Sequence, residues 1–388
     1  MGSGKTEAAI NYINSSDDQV HFLYVTPYLS EADRIIKSCP TKKFKQPECY
    51  GTKTNGIKYL FEKGVNIVTT HSLFEKFSDE IIDLIKSQRY ILILDEAMNV
   101  IRQYNDISTN DIKILIENCC NIRDDGIILW NDENYNGLFE KYKPLCDQQR
   151  LLYYSNSCIF WICPVSVFKS FHKIFALTYL FKYQLQKYYF DLFHLEYNYL
   201  HVKIQNGKFV FSKSNKDLQR NENYKRLIRV NNDRNLNEIG SSKFSLSKQW
   251  YKEHSDTELM DRIKKNTIAF FRGHCKTRSK ENMWTTYKYY QDKLAGGGYT
   301  KGFVPLNMRA TNQYKDKIAA AYLVNRYLSP SIKNFFSKNG VTVDEDGYAL
   351  AEMIQWIWRS AIRDGKEIDL YVPSSRMRSL LNKWLNSI

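Results

Sequence analysis

Apolar runs and amphipathic stretches alternate along the first half of the chain, and this pattern predicts its fold. Short apolar, β-branched runs predict strands at 20–25, 65–69, 90–94, 126–130 and 173–178. Apolar residues at helical spacing predict a helix after residue 5, which buries Ala8, Ala9, Ile10 and Ile13, and a second helix is expected near Ser30. The alternation predicts an α/β fold with helices flanking a parallel sheet.

The pattern changes after about residue 181. Alternating apolar residues on both sides of Asn206-Gly207 predict a β-hairpin. Strands and helices then alternate again, with strands expected at 283–287, 302–306 and 368–372 and helices at 256–271, 314–327, 348–359 and after Ser374 or Ser375. We therefore predict one α/β domain at 1–182 and a second at 183–388, with a hairpin-bearing insertion near 195–255.

The first residues have the sequence of the second half of a phosphate-binding loop. Gly2, Ser3 and Gly4 let backbone N–H groups turn toward a polyphosphate, and Lys5 reaches its β- and γ-phosphates. The Thr6 hydroxyl is expected to ligate Mg²⁺ and to face the same nucleotide. A complete loop has an earlier glycine and a preceding strand. Either the printed start lies inside the natural reading frame, or the chain is a shortened or decayed ATPase.

Two carboxylates follow the most apolar strand. Asp95 and Glu96 come directly after the run at 91–94, and ligands bind at the carboxyl ends of strands in open α/β sheets. We expect Asp95 to hold Mg²⁺ through water and Glu96 to orient and activate the attacking water. The alternative is a strand end that carries two acids by chance, which the upstream Gly-Lys-Thr makes less favoured.

Length, charge and cysteine spacing limit the classes of function that the protein can have. A chain of 388 residues suggests two domains, and 56 basic against 42 acidic residues give a formal charge of +14. Such an excess indicates a polyanionic partner, although a solvated basic surface is the simpler alternative. The eight cysteines include no C-x-x-C pair, so neither a disulfide framework nor a zinc site is expected. No signal peptide or membrane-spanning run is recognised, and a cytoplasmic protein is expected.

Asp95-Glu96-Ala97 resembles the hydrolysis motif of superfamily-2 helicases of the DEAD/DEAH type. Other segments resemble further motifs of that family in the same order: 24–27 (motif Ia), 69–72 (Ib), 176–179 (III), 307–312 (V) and 355–363 (VI). The resemblance implies that five residues contact the bound nucleic acid: Thr26, Thr70, Ser72, Arg309 and Thr311.

The last of these segments carries the candidate arginine finger. The resemblance implies that Arg359 stabilises charge on the γ-phosphate, with Arg363 as a second catalytic arginine and Gln355 as a nucleotide contact. Helical spacing predicts that the three side chains share one helix face. The alternative is a surface helix with ordinary charges.

Two further segments have competing interpretations. Cations at 271–280 predict a phosphate contact, while His274 and Cys275 have no neighbouring ligand pair and do not favour a metal site. The aromatic-rich segment 179–199 fits either base stacking or a hydrophobic core, and its spacing favours the core.

The resemblance implies two tandem RecA-like domains that hydrolyse ATP with Mg²⁺ at an interdomain cleft. The expected function is an ATP-dependent helicase or translocase of the kind carried by phages and mobile elements, acting in the cytoplasm on DNA rather than RNA and not on membranes. Replication or recombination proteins are candidate partners. A nucleic-acid-binding protein that no longer hydrolyses ATP is the alternative. A genome-packaging motor is less favoured, because the acids after residue 200 show no nuclease-like grouping.

Overall fold

The chain forms two compact units. A computed structural model describes residues 4–213, 223–306, 308 and 313–387. Within these, the first unit contains residues 4–213 and 329–343, and the second contains residues 223–328 and 344–387 apart from the gaps. The first unit therefore extends beyond the predicted boundary at residue 182, and it also includes a helix from late in the sequence.

Strands and helices alternate through most of the described chain. The strands are β1 (Phe22–Thr26), β2 (Ile67–Thr70), β3 (Ile91–Asp95), β4 (Ile101–Gln103), β5 (Cys120–Ile122), β6 (Ile128–Trp130), β7 (Leu151–Ser155), β8 (Cys158–Ile162), β9 (Lys173–Leu177), β10 (His201–Gln205), β11 (Lys208–Ser212), β12 (Ile228–Val230), β13 (Asn282–Thr285), β14 (Ala319–Tyr322) and β15 (Ile368–Tyr371). The α-helices are α1 (Lys5–Ser15), α2 (Leu29–Ser38), α3 (Lys53–Glu62), α4 (His71–Phe74), α5 (Asp79–Gln88), α6 (Thr109–Cys119), α7 (Lys143–Asp147), α8 (Val165–Lys169), α9 (Leu185–Leu192), α10 (Asn223–Leu227), α11 (Arg234–Asn237), α12 (Lys248–His254), α13 (Glu258–Ile268), α14 (Gln291–Leu294), α15 (Pro330–Lys338), α16 (Glu345–Ile357) and α17 (Ser375–Ser387).

A four-stranded parallel sheet with the order β2-β1-β3-β9 forms the base of the first unit. Its central strands are apolar on both faces because helices cover both, and every residue of β1 and β3 is buried. Ala9 and Ile13 of α1 pack with Phe22 and Tyr24 of β1 in the same hydrophobic core. The strands predicted at 20–25, 65–69, 90–94 and 173–178 are confirmed, and so is the helix predicted after residue 5. Since the strands are parallel, their carboxyl ends lie along one edge of the sheet.

Residues 101–162 form a separate layer within the first unit. They contain an antiparallel sheet with the order β4-β8-β7 and an antiparallel β5-β6 pair. Residues such as Ile112, Leu115 and Phe139 give this layer its own core. The run at 126–130 does form a strand, β6, but β6 pairs with β5 and lies outside the parallel sheet. Periodicity identified the strand, while its partner depends on contacts that are distant in sequence.

The aromatic segment and the hairpin also belong to the first unit, not to an insertion in a second domain. Tyr189 and Phe190 of α9 are buried and stack edge-on against Phe168. In the confirmed β10–β11 hairpin, the ring of Phe211 stacks on that of Phe175 in β9, with ring centroids 5.1 Å apart. These aromatic contacts explain why the first unit continues past residue 182, and the burial of Tyr188, Tyr189 and Phe190 shows that the middle of the segment belongs to the core.

The second unit contains a parallel sheet with the order β12-β15-β14-β13. The strands predicted near 283 and 368 are confirmed as β13 and β15. The helix predicted at 314–327 is wrong, because Ala319–Tyr322 form the fully buried strand β14. Alanine favours helices, but here burial between two strands decides the conformation. The strand predicted at 302–306 is also wrong: a short 3₁₀ turn covers Thr300–Gly302, and Phe303 makes an isolated bridge.

The predicted α/β class, with parallel sheets flanked by helices, is thus confirmed in both units. Among the helices that the structure describes, each is too short or too polar to cross a bilayer.

Candidate nucleotide site

Polar side chains collect at the carboxyl edge of the parallel sheet in the first unit. Thr26 ends β1, Thr70 ends β2, Asp95 ends β3, and Thr178 follows β9 directly. The register pairs Val25 with Leu94 and Asp95 with Leu177, so these strand ends are close together. Open α/β sheets bind ligands at this edge.

Lys5 enters this edge from the first turn of α1. Gly4 lies just before the helix with φ 71°, a left-handed conformation that glycine adopts without steric cost. The Lys5 side chain is only half-buried by area, but its ammonium end is desolvated, which lowers its pKa. Glu96 and Asp95 oppose that shift through their negative charge. The structure therefore brings the predicted lysine and the predicted acidic pair together.

Asp95 is almost fully enclosed, with 8% of its surface exposed. Burial, and then repulsion from Glu96, raises the pKa of Asp95 to about 7. The Tyr24 hydroxyl donates a hydrogen bond to Asp95 Oδ2 at 3.2 Å, and burial raises the pKa of Tyr24 well above its usual value, so this phenol stays a donor. A carboxylate held this far from solvent gains from a nearby cation.

Glu96 has an unusual backbone. Its φ of 75° lies in the left-handed region, which costs a residue with a Cβ about 1 kcal/mol. The Thr178 hydroxyl donates to Glu96 Oε2 at 3.2 Å, and Gln184 Nε2 donates to the Thr178 hydroxyl at 2.8 Å and to the Tyr179 carbonyl at 2.8 Å. Backbone strain of this kind collects at functional sites.

An aromatic ring covers the glycine before Lys5. The Phe209 ring of β11 lies so close to Gly4 that a Cβ added there would overlap it. Asn11 Nδ2 of α1 donates to the Phe209 carbonyl at 3.0 Å and fixes the hairpin on the helix. The hairpin thus closes over the start of α1.

Gly4→Ala should destabilise the protein by about 2–3 kcal/mol, because the change combines a left-handed backbone with overpacking against Phe209. Urea unfolding measures the loss. Gly207→Ala is the matched control: Gly207 has φ 74° and open space around it, so that change should cost only about 1 kcal/mol. Equal losses in the two variants would mean that the Phe209 contact does not constrain Gly4.

The sequence also suggested metal and nucleic-acid contacts on this edge. Thr6 is half-buried in the first turn of α1, and a threonine hydroxyl and a carboxylate such as that of Asp95 are oxygen ligands of the kind that suits Mg²⁺. Thr26 is fully buried, and its hydroxyl donates to the Tyr28 carbonyl at 3.2 Å. Thr70 is half-buried. Ser72 is exposed and lies inside α4, and Thr70 stands at the cap position before that helix.

Of the described residues, none form a group of three or more histidine, cysteine, aspartate or glutamate side chains able to hold a metal on their own.

The candidate arginines belong to the second unit. α16 ends at Ile357, so the prediction that Gln355, Arg359 and Arg363 share one helix face is wrong. The backbone of Ser360 is extended, and Arg363 lies in a separate 3₁₀ turn, Ala361–Asp364. Arg359 is 6% exposed, Arg363 is exposed, and Gln355 is half-buried on α16. Gly2, Ser3, Arg309 and Thr311 lie outside the described residues.

Sequence reasoning missed two side chains that bind the acidic pair, Tyr24 and Thr178, and a third, Gln184, that binds Thr178. Tyr24 and Thr178 fall in segments that were noted for a family resemblance, but nothing indicated that their hydroxyls bind the carboxylates of Asp95 and Glu96. Their positions in and after parallel strands were the available signal. Gln184 gave no signal, because its role depends on the turn before α9.

The first unit is thus an α/β domain with a lysine and a carboxylate pair at the carboxyl edge of a parallel sheet. Comparison with known proteins shows that the chain belongs to the YonV family. Residues 101–161 match the YonV middle domain, and residues 222–385 match the YonV C-terminal Rossmann-like domain. The chain is 39% identical to the SPbeta prophage-derived uncharacterized protein YonV of Bacillus subtilis strain 168, over 100% of this chain and 97% of that protein.

Two solved structures share a weak overall resemblance. One is an XPD helicase, with a TM-score of 0.41 and 11% identity over 100% of this chain and 93% of that chain. The other is Xpd4 of S. tokodaii, with a TM-score of 0.43 and 12% identity over 94% of this chain and 88% of that chain. Similarity at this level assigns neither an activity nor a ligand.

Proposed function

We propose that the first unit binds a magnesium–nucleoside triphosphate, with ATP as the expected nucleotide, and hydrolyses it. One observation carries this proposal: the desolvated ammonium of Lys5, at the start of an eleven-residue helix, faces the Asp95–Glu96 pair at the end of β3. A helix N-terminus and a lysine attract phosphate oxygens, and an adjacent carboxylate pair suits a metal-bound phosphate and an attacking water.

Each residue has a distinct role in this mechanism. Lys5 and the backbone at Gly4 hold the phosphates, while Thr6 and Asp95 hold Mg²⁺, which neutralises phosphate charge when bound. Glu96 orients the attacking water and accepts its proton. Thr178 and Gln184 hold the Glu96 carboxylate in position through their hydrogen bonds.

We further propose that hydrolysis drives movement on nucleic acid, with DNA as the expected track and Arg359, followed by Arg363 and Gln355, as the candidate γ-phosphate contacts of the second unit. The formal charge of +14 supports a polyanionic partner. In the second unit, four cations along one short segment are exposed: Arg272, Lys276, Arg278 and Lys280. This is the surface that we expect to contact phosphates.

A fluorescent ATP analogue with Mg²⁺ tests nucleotide binding. The unaltered protein should bind it, and Lys5→Ala should weaken binding at least about tenfold, since a charge-assisted contact with phosphate is worth roughly 1.5–3 kcal/mol. Lys37→Ala removes an exposed lysine of α2 and should leave the affinity unchanged. Equal affinity in the Lys5 variant and the unaltered protein would contradict the site.

Removing two exposed cations tests the partner. Lys276→Ala with Arg278→Ala should weaken DNA binding and reduce the slope of log affinity against log salt by about two, since each phosphate contact contributes about one. Fluorescence anisotropy at several salt concentrations measures the slope. Lys37→Ala with Lys63→Ala, on the first unit, is the control with the same charge change. If the slope of log affinity against log salt were the same in both double variants, Lys276 and Arg278 would not be phosphate contacts.

One observation favours a second candidate function, a nucleic-acid-binding protein that does not hydrolyse ATP. The Phe209 ring lies against Gly4 on the side where a Cβ would stand, which limits the room beside that backbone for a phosphate. Salt-dependent DNA binding without measurable binding of the nucleotide analogue would support this alternative.

A further inference from the structure

An exposed aromatic ring lies near the carboxyl edge of the parallel sheet in the second unit. Phe244 is 58% exposed, and its ring centroid is 5.8 Å from that of Tyr327, which comes shortly after β14. The Lys243 ammonium lies 5.3 Å from the centre of the Phe244 ring. A single exposed apolar side chain is common on protein surfaces, but an exposed ring that contacts both a second ring and a cation is typical of surfaces that stack bases.

Hydrogen bonds fix the backbone next to this ring. The fully buried Asn325 side chain donates from Nδ2 to the carbonyls of Lys243, at 2.8 Å, and Ser245, at 3.0 Å. The Asn325 N–H donates to the Leu246 carbonyl at 2.8 Å. The Tyr327 hydroxyl donates to the Lys243 carbonyl at 2.9 Å. Because the backbone is bonded on both sides of the exposed ring, the ring is held on a rigid turn.

Leu246 shows that this turn is strained. Its φ of 62° lies in the left-handed region, which is unfavourable for a residue with a Cβ, while its side chain is fully buried in the core of the second unit. Strained backbone persists where the surrounding structure determines it, and it collects at functional sites. The fold therefore keeps an unfavourable backbone in a turn that exposes a phenylalanine.

An arginine supports the pair of rings from the other side. The Arg376 guanidinium lies 4.2 Å from the centre of the Tyr327 ring, and its Nη1 donates to the Asn325 side-chain oxygen at 3.1 Å. Its Nη2 lies 2.6 Å from a carboxylate oxygen of Asp346. Since this charge is already paired, we expect Arg376 to hold the Tyr327 ring and not to bind phosphate. A guanidinium, a tyrosine and a phenylalanine are in contact in that order, and the phenylalanine is the exposed end.

Unpaired cations lie beside this exposed end. Lys243 precedes the exposed phenylalanine, Lys248 is the first residue of α12, and Lys288 follows Tyr287. The Tyr287 hydroxyl donates to the Asn325 carbonyl at 3.0 Å, so the segment after β13 adjoins the same turn. All three lysines are exposed, and within the described part of the chain they form no ion pair. They are therefore available to phosphates.

We propose that this surface binds a single-stranded nucleic acid: Phe244, supported by Tyr327, stacks an unpaired base, and Lys243 and Lys248 contact the phosphates. Every base offers a flat face to an exposed ring, so such stacking tolerates any sequence. In a duplex those faces are already stacked on neighbouring bases. The surface therefore favours single strands over duplexes.

This surface is separate from the cations at 272–280. Those cations end just before β13, whereas Asn325 follows β14, and β13 and β14 are parallel, so the two surfaces lie toward opposite edges of one sheet. The inference rests on the proposed nucleic-acid partner and adds the form of the strand and the residues that stack its bases.

Fluorescence anisotropy with a labelled oligothymidylate and a labelled duplex of the same length tests the stacking. Phe244→Ala should weaken binding of the single strand at least about fivefold, which is the lower end of the loss when a stacking aromatic is truncated. The affinity for the duplex and the salt dependence of binding should stay unchanged, because no charge is removed. Phe244→Leu keeps an apolar side chain without an aromatic face and should show the same loss, whereas Phe244→Trp should bind the single strand at least as tightly as the unaltered protein.

Tyr50→Ala is the control for loss of an exposed aromatic ring. Tyr50 is 53% exposed and contacts the Tyr59 ring at 5.5 Å, but its hydroxyl lies 3.5 Å from the Glu48 carboxylate, which would repel phosphates. This variant should bind the single strand as the unaltered protein does.

Three results would overturn the inference. If Phe244→Ala bound the single strand as tightly as the unaltered protein, DNA binding would stand but this ring would not stack bases. If Phe244→Leu restored the affinity that the alanine variant lost, an apolar contact such as a protein interface would explain the ring. If the unaltered protein did not bind the single strand, the nucleic-acid partner would fail with the inference, while binding of the ATP analogue, measured separately, would still test the nucleotide site.

Discussion

Glu96→Gln should lower DNA-stimulated ATP hydrolysis at least about 100-fold while the protein still binds the nucleotide, because positioned general bases typically contribute that much or more. The amide keeps the size of the side chain and can still accept the hydrogen bond from Thr178. What it loses is the capacity to accept a proton from water. Phosphate release under saturating Mg²⁺-ATP, with and without single-stranded DNA, measures the effect.

The control for this variant is Glu117→Gln, which alters an exposed glutamate on α6 whose carboxylate lies 3.8 Å from the Lys113 ammonium. Its hydrolysis rate should match that of the unaltered protein. Hydrolysis by Glu96→Gln at the unaltered rate would show that another residue activates water, and the proposed mechanism would be wrong even if Lys5 binds phosphate.

Compared with the unaltered protein, the Asp95→Asn variant should be more stable at pH 8 than at pH 4 when no nucleotide is bound. Burial raises the pKa of Asp95 to about 7 in the folded state, against about 3.8 in the unfolded chain. Between these values the folded protein binds a proton that the unfolded chain has released, so this group makes stability fall as the pH rises from about 4 to about 7. The loss amounts to at most about 4 kcal/mol, from about three pKa units.

The asparagine variant is neutral at every pH and avoids that loss, while its side-chain oxygen can still accept from Tyr24. Urea unfolding at pH 4 and pH 8 should therefore show the variant gaining about 2–4 kcal/mol on the unaltered protein between the two pH values. Asp124→Asn, at an exposed turn, should show no such gain. If the free energy of unfolding changed equally with pH in the Asp95 variant and in the unaltered protein, Asp95 would be well solvated.

The parts of the fold that the sequence predicts best are those with a local cause. The run at 91–94 has no polar residue and forms the buried strand β3, and Asn206-Gly207 specifies its hairpin turn. Ala319–Tyr322 shows the limit, because its residue types favour a helix while burial between β13 and β15 makes it a strand. The end of the first unit could not be predicted from local sequence either, because it depends on the stacking of the Phe211 ring on the distant Phe175 ring.

The residues of the candidate site also fall into two groups, those that the local sequence identifies and those that it does not. Lys5, Asp95 and Glu96 could be identified because each follows or precedes a recognisable element. The hydrogen bonds from Tyr24 to Asp95 and from Thr178 to Glu96 join residues 71 and 82 positions apart, so no local pattern encodes them. Arg359 was placed on a helix because the apolar periodicity of α16 continues past Ile357, where the backbone in fact leaves the helix.

The left-handed backbone at position 96 has a practical consequence for anyone engineering this protein. Glycine at that position would relieve the conformational cost but would delete the carboxylate. A search for heat-resistant variants that ignores turnover should therefore select glycine at position 96 repeatedly, and each such variant should be more robust and chemically inert. Thermal tolerance and catalytic competence would then be opposing demands on a single residue.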